Sequence, residues 1–114
     1  MARFSSVGEF SPAGTNLTGT STSNSINTTA AKDARVFLNL ASVPGGGATL
    51  DVEVEISPDN VDFATVRAFN AISATGKLVL ALAQEELGSF TRLKYIVSSG
   101  TFTLGAKLEK KQGV

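Results

Sequence analysis

The sequence predicts an all-β protein, an antiparallel β-sandwich or barrel with an extended N-terminal arm. Three observations carry that prediction. Residues 49–57 alternate Leu50, Val52, Val54 and Ile56 with Asp51, Glu53 and Glu55. Successive side chains on a strand point to opposite faces, so this segment has one apolar and one acidic face. Between residues 33 and 110, six segments of strand character follow one another, separated by short turn signals. No segment carries a strong helical period; residues 83–87 are the one stretch expected to form a short helix.

Composition bounds the function. At 114 residues the chain is one domain by size, long enough to bury roughly two-thirds of its unfolded surface. It has no Cys, which excludes disulfides, thiolate zinc sites and a cysteine nucleophile. It has no His, which removes the commonest general base and metal ligand. Ten basic residues balance ten acidic ones, so the basic footprint of a nucleic-acid binder is missing. No apolar run approaches the roughly 20 residues that span a bilayer, so no membrane partner is expected. Residues 1–6 hold one positive charge and no apolar run of signal-peptide type, so the expected place of residence is the cytosol of the cell that makes the chain. The sequons at Asn16 and Asn27 then read as chance matches.

Residues 1–31 stand apart as the expected arm. No charged residue lies between Glu9 and Lys32, and 15 of the 19 residues from 11 to 29 are Ser, Thr, Asn or Gly. Such a segment cannot bury enough apolar surface to fold alone. It is either a disordered arm or an extended strand that pairs with an edge of this domain or of a neighbour; its threonines suit a pleated surface. Phe4, Val7, Phe10, Leu17 and Ile26 are its apolar residues and its candidate anchors. Residues 32–110 are the expected sandwich. Residues 34–43 place Val36, Leu38 and Leu40 on one face and Phe37 on the other. Pro44-Gly45-Gly46-Gly47 is a flexible loop. Ser57-Pro58-Asp59-Asn60 has turn chemistry, because Pro presets φ and Asp and Asn tolerate the left-handed region. Strands follow at residues 62–69, 77–83 and 90–98. Ser99-Gly100 has hairpin chemistry, and residues 101–110 form the last strand. Residues 111–114 are read as a polar tail. The expected core includes Val36, Leu38, Leu40, Leu50, Val52, Val54, Ile56, Phe63, Phe69, Leu78, Leu80, Leu93, Tyr95, Val97, Phe102, Leu104 and Leu108.

Candidate chemistry is sparse. Asp51, Glu53 and Glu55 share a strand face with neighbours about 6.6–7 Å apart. A glycosidase needs two carboxylates across a cleft, and a row along one strand reads more simply as a solvated surface. Asp59, Asn60 and Asp62 offer oxygen ligands, but their spacing is not that of an EF-hand, and a structural turn is the plainer reading. The glycine cluster lacks the Lys-Ser/Thr of a phosphate cradle. No catalytic residue, metal or cofactor is assigned, and no enzymatic activity is expected. Arg67, Arg92 and Lys94 form a small basic set. With Glu53 and Glu55 they either make cross-strand pairs within one sheet or supply complementary faces for contacts between copies. Plain surface solubility is the third reading.

Residues 50–59 (LDVEVEISPD), the aromatic Phe63, residues 69–76 (FNAISATG) and residues 90–96 (FTRLKYI) resemble small structural proteins from the head gene clusters of tailed bacteriophages. The resemblance covers roughly residues 33–108. This chain has Phe63 where many members carry Trp or Tyr, and Ser98-Ser99-Gly100 where they carry a more glycine-rich turn. The resemblance implies a sandwich of jelly-roll type, carried on the virion as a head decoration (cement) protein. It implies the major capsid protein or another virion protein as partner, with a homo-oligomer, a trimer being favoured. A carbohydrate- or receptor-binding β-sandwich is the alternative of a different class.

Overall fold

The computed structural model describes residues 6–112. Within them the chain forms nine strands: β1 (Ser6–Leu17), β2 (Ser21–Thr22), β3 (Ile26–Asn27), β4 (Ala31–Ser42), β5 (Leu50–Ser57), β6 (Ala64–Ile72), β7 (Gly76–Leu82), β8 (Phe90–Val97) and β9 (Phe102–Gln112). The short helix expected at residues 83–87 is a single 3₁₀ turn, Gln84–Glu86, between β7 and β8.

Two antiparallel sheets result. One has the order β1-β9-β4-β7; the other has β8 beside β5, β5 beside β6, and both β2 and β3 on the far side of β8. Taking β2 and β3 as one interrupted strand leaves eight strands in two sheets of four. The chain changes sheet at every connection except the β5–β6 hairpin. That path is the jelly roll, a double-sheet solution built from two Greek keys.

Period-two alternation is the reason. In β4, Ala34, Val36, Leu38 and Leu40 are buried, while Arg35, Phe37 and Asn39 lie on the outer face. In β9, Phe102, Leu104, Ala106 and Leu108 point inward. In β5, Leu50, Val52 and Val54 are fully buried, and in β8 so are Leu93 and Tyr95. These inner faces pack into one core cluster between the sheets. Turn chemistry closes the links. Asn60 takes φ 63°, as the Ser-Pro-Asp-Asn motif requires. Gly100 takes φ 73° at the β8–β9 turn, and a Cβ there would lie 2.6 Å from the Pro44 ring.

The structure corrects the expected division into an arm of residues 1–31, a sandwich of 32–110 and a tail of 111–114. From residue 6 onward the Ser/Thr-rich segment belongs to the sandwich. β1 is the outer strand of one sheet, and β2 and β3 border the other. Phe10 is completely buried and Leu17 nearly so, both within the core cluster. The Ser11 hydroxyl meets the buried Tyr95 hydroxyl at 2.8 Å. Thr28 is buried, donates to the Gly88 carbonyl at 2.6 Å and meets the Thr91 hydroxyl at 2.9 Å. Lack of charge thus marks strands that pair within their own domain. Lys111 and Gln112 likewise continue β9, opposite Asp33 and Ala31 of β4.

Three core assignments are also corrected. Phe63 lies on the outer face of the β5–β8 sheet. Ile56 is half-buried, because near the end of β5 it borders an open cleft. Leu78 is 37% exposed, because β7 is an edge strand with no described strand beyond it.

Candidate interaction surfaces

The outer face of the β8–β5–β6 sheet holds most of the charged residues singled out by the sequence. Register places Glu55 opposite Arg92 and Glu53 opposite Lys94. Arg92 Nε donates to Glu55 Oε1 at 2.8 Å. The Phe63 ring covers the Arg92 guanidinium, with Cζ 3.8 Å from the ring centroid. The three side chains form a stack in which the aromatic face attracts the cation and excludes water from the ion pair. Glu55 is consequently buried on a face that alternation alone would leave in solvent. Glu53 Oε1 accepts from the Thr65 hydroxyl at 3.3 Å. Asp51 Oδ1 accepts from the Ala71 N–H at 2.8 Å, tying down a residue with φ 54° near the end of β6. The acidic row is therefore matched by β8 and β6 of its own sheet.

Arg67 lies apart from that stack. A bulge in β6 puts it opposite the buried Val54, on the inward side of an edge strand. There it bridges the rim, reaching the Ala81 carbonyl of β7 at 3.4 Å and Glu86 at 3.2 Å. The Ala83 N–H hydrogen bond, followed by Arg67, holds the Glu86 carboxyl below its ordinary range. Asp59 is also held low, by N–H donors from Asp62 and Val61 and by the Ser57 hydroxyl. All three donors meet on Asp59 Oδ1, which makes the motif a turn closed by its own side chain. An open cleft of about 470 Å³ lies at the end of the sandwich beside Thr28, Ile56, Ser57, Leu87 and Gly88. The hydroxyls of Thr28 and Ser57 are engaged with other protein groups.

Of the anchor residues expected in the arm, Phe4 lies outside the described residues. Phe10 and Leu17 are in the core, and Ile26 packs partly buried over Gly8. Val7, 65% exposed on β1, is the described anchor that remains available to a partner. Sequence reasoning missed the apolar edge at β7, where Val79 is 54% exposed next to Leu78. The signal was present in residues 77–83, where Val79 and Ala81 between leucines leave both faces apolar.

No family model matches the chain, and no curated protein matches it. Among solved structures, the chain is similar to one from infectious bursal disease virus, Gt strain. The TM-score is 0.61 at 16% sequence identity, over 95% of this chain. The match spans 32% of that viral chain, so this protein is about a third of its length. At this identity the likeness is one of fold, and it agrees with the jelly-roll strand order.

Proposed function

We infer that the chain is a structural protein of a virion, bound to the outside of a tailed-phage head as a decoration (cement) protein. The observation that carries this reading is the jelly-roll strand order, joined by the likeness of fold to a segment of a virus structure. The motif resemblance at residues 50–59, 69–76 and 90–96 supports it. These segments make up β5 with the turn after it, the last four residues of β6 with the turn into β7, and all but the last residue of β8.

On this reading the chain is no enzyme and carries no cofactor. Its work is to add contacts across a lattice, with the major capsid protein or another virion protein as partner; the chain is made in the host cytoplasm and resides on the virion. The stacked ion pair of Glu55, Arg92 and Phe63 then serves to stiffen the sheet. Small contacts repeated over many copies give strong avidity. The test is co-sedimentation of the purified chain with undecorated heads, with tails and with polysaccharide. Saturable binding to heads, accompanied by a rise in their thermal disruption temperature, is expected. Binding to tails or polysaccharide in place of heads would replace the decoration role by receptor or glycan recognition.

A further inference from the structure

Among the described residues the sandwich has four edges, and three are blunted. β1 carries two register shifts, Pro12, and Gly14 at φ 86°. β6 carries two register shifts, an inward-reaching Arg67 and the left-handed Ala71. β2 and β3 are two residues each. Bulges, prolines, inward charges and short strands are the devices by which sheet edges avoid pairing with other chains. β7 has none of them within its own length, although the Arg67 guanidinium reaches its edge at the Ala81 carbonyl, 3.4 Å away. It runs seven consecutive pairs with β4 without a shift, and its one charge, Lys77, stands near its start.

We propose that β7 is the interface between two copies of this chain, paired antiparallel about Val79 so that the β1-β9-β4-β7 sheet continues across a two-fold axis. The backbone supports this register. Arg67 reaches the Ala81 carbonyl from β6, so the Ala81 carbonyl points away from β4. Backbone groups alternate sides along a strand, so those of Lys77 and Val79 point the same way, toward the open edge. Pairing about Val79 sets Val79 against its own copy and Lys77 against Ala81, each a hydrogen-bonded pair, with the Ala81 carbonyl accepting the second copy's N–H on the lone pair that the long 3.4 Å Arg67 contact leaves open. The side chains agree as well. Residues 78–80 read Leu-Val-Leu, the same in both directions, so Leu78 meets the second copy's Leu80 on the inner face. On the outer face Val79 is opposite Phe37 within its own sheet. The two copies then form one row, Phe37–Val79–Val79–Phe37. The lysines lie at opposite ends of the pair, so no like charges face each other. A second copy is favoured over an unrelated strand by this self-complementarity, the property an isologous contact requires. A two-fold contact makes a dimer, where the sequence reading favoured a trimer.

The chain contains no cysteine, so a single introduced thiol reports the contact without ambiguity. In a hydrogen-bonded antiparallel pair the opposed Cα atoms lie about 5.5 Å apart, within disulfide range. Val79→Cys in the full chain is expected to oxidise to a covalent dimer, while Val61→Cys, on an exposed turn at 75% exposure, stays largely monomeric under the same conditions. By sedimentation velocity the wild-type chain is expected at twice the chain mass. Val79→Lys should sediment as a monomer with an unchanged circular dichroism spectrum and a cooperative melt that no longer depends on protein concentration. A monomeric wild type, equal cross-linking of both cysteine variants, or a folded Val79→Lys that stays dimeric would each overturn the proposal. A wild-type monomer whose binding to heads is lost in Val79→Lys would also overturn it, and would assign the edge to a strand of another protein.

Discussion

At the scale of single residues, burial changes what a side chain does. Phe63 is apolar and sits outside the core, yet it closes over the Arg92–Glu55 pair. A cation–π contact of this kind contributes about 0.5–2 kcal/mol. Phe63→Leu removes the ring face and keeps most of the apolar area, so a loss of about 1 kcal/mol in urea unfolding is expected. Combining it with Arg92→Ala should give clear non-additivity, because the two groups touch. Tyr95 is the counterpart inside the core. Burial pushes its hydroxyl up to about 12, against a smaller opposing effect of the Ser11 hydrogen bond. A raised folded-state pKa means that the folded protein holds this proton more tightly than the unfolded chain does. The contribution is complete below the unfolded value near 10 and is lost as pH rises toward 12. Tyr95→Phe is therefore expected to flatten the fall in stability between about pH 10 and 12, measured by urea unfolding at stepped pH. At neutral pH it should cost about 0.5–1.5 kcal/mol for the lost hydrogen bond.

At the scale of elements, β5 shows how far alternation carries. Val54 is fully buried, while Glu53 on the opposite face is half-exposed. Val54→Asp places an unpaired charge in the core and is expected to abolish the cooperative thermal transition. Glu53→Lys sets two lysines opposite each other and loses the Thr65 contact, so a loss of about 1 kcal/mol or less with the fold intact is expected. Equal melts for the two variants would contradict the face assignment. Alternation also made the inner faces of β4, β8 and β9 legible in the sequence, and turn residues made their ends legible. Exposure at an edge was not legible, because Leu78 has the local pattern of a core residue and only strand order leaves it uncovered. The pairing of Glu55 with Arg92 had been open among three readings, since register between segments 37 residues apart is a tertiary property. Gly105 shows the same limit. It is an unremarkable glycine in sequence, yet a Cβ there would lie 3.0 Å from the Ala13 backbone, where β1 bulges across β9.

At the scale of the whole molecule, the uncharged N-terminal segment decides whether the sandwich closes. Composition made it resemble an arm because a strand that lies over a core needs few apolar residues of its own. Phe10 and Leu17 supply the buried side chains, and Ser11 and Thr28 supply buried hydrogen bonds to β8 and its approach. Phe10→Ala is expected to cost about 3–5 kcal/mol and Leu17→Ala about 2–5 kcal/mol. A domain of this size has on the order of 5–15 kcal/mol in total. Deleting residues 1–31 removes both side chains at once. It also strips β1 from β9, leaves the β9 backbone unpaired along that side, and uncovers Thr91 and Tyr95 where β8 now borders β2 and β3. The truncated chain is therefore expected to lose its cooperative urea transition and to bind a hydrophobic dye, whereas a separable arm would leave both unchanged. Phe10→Ala gives the graded version of the same test, with the urea midpoint falling while the slope stays that of a folded domain. A truncated chain that melts like the full-length protein would return residues 6–31 to the status of an arm.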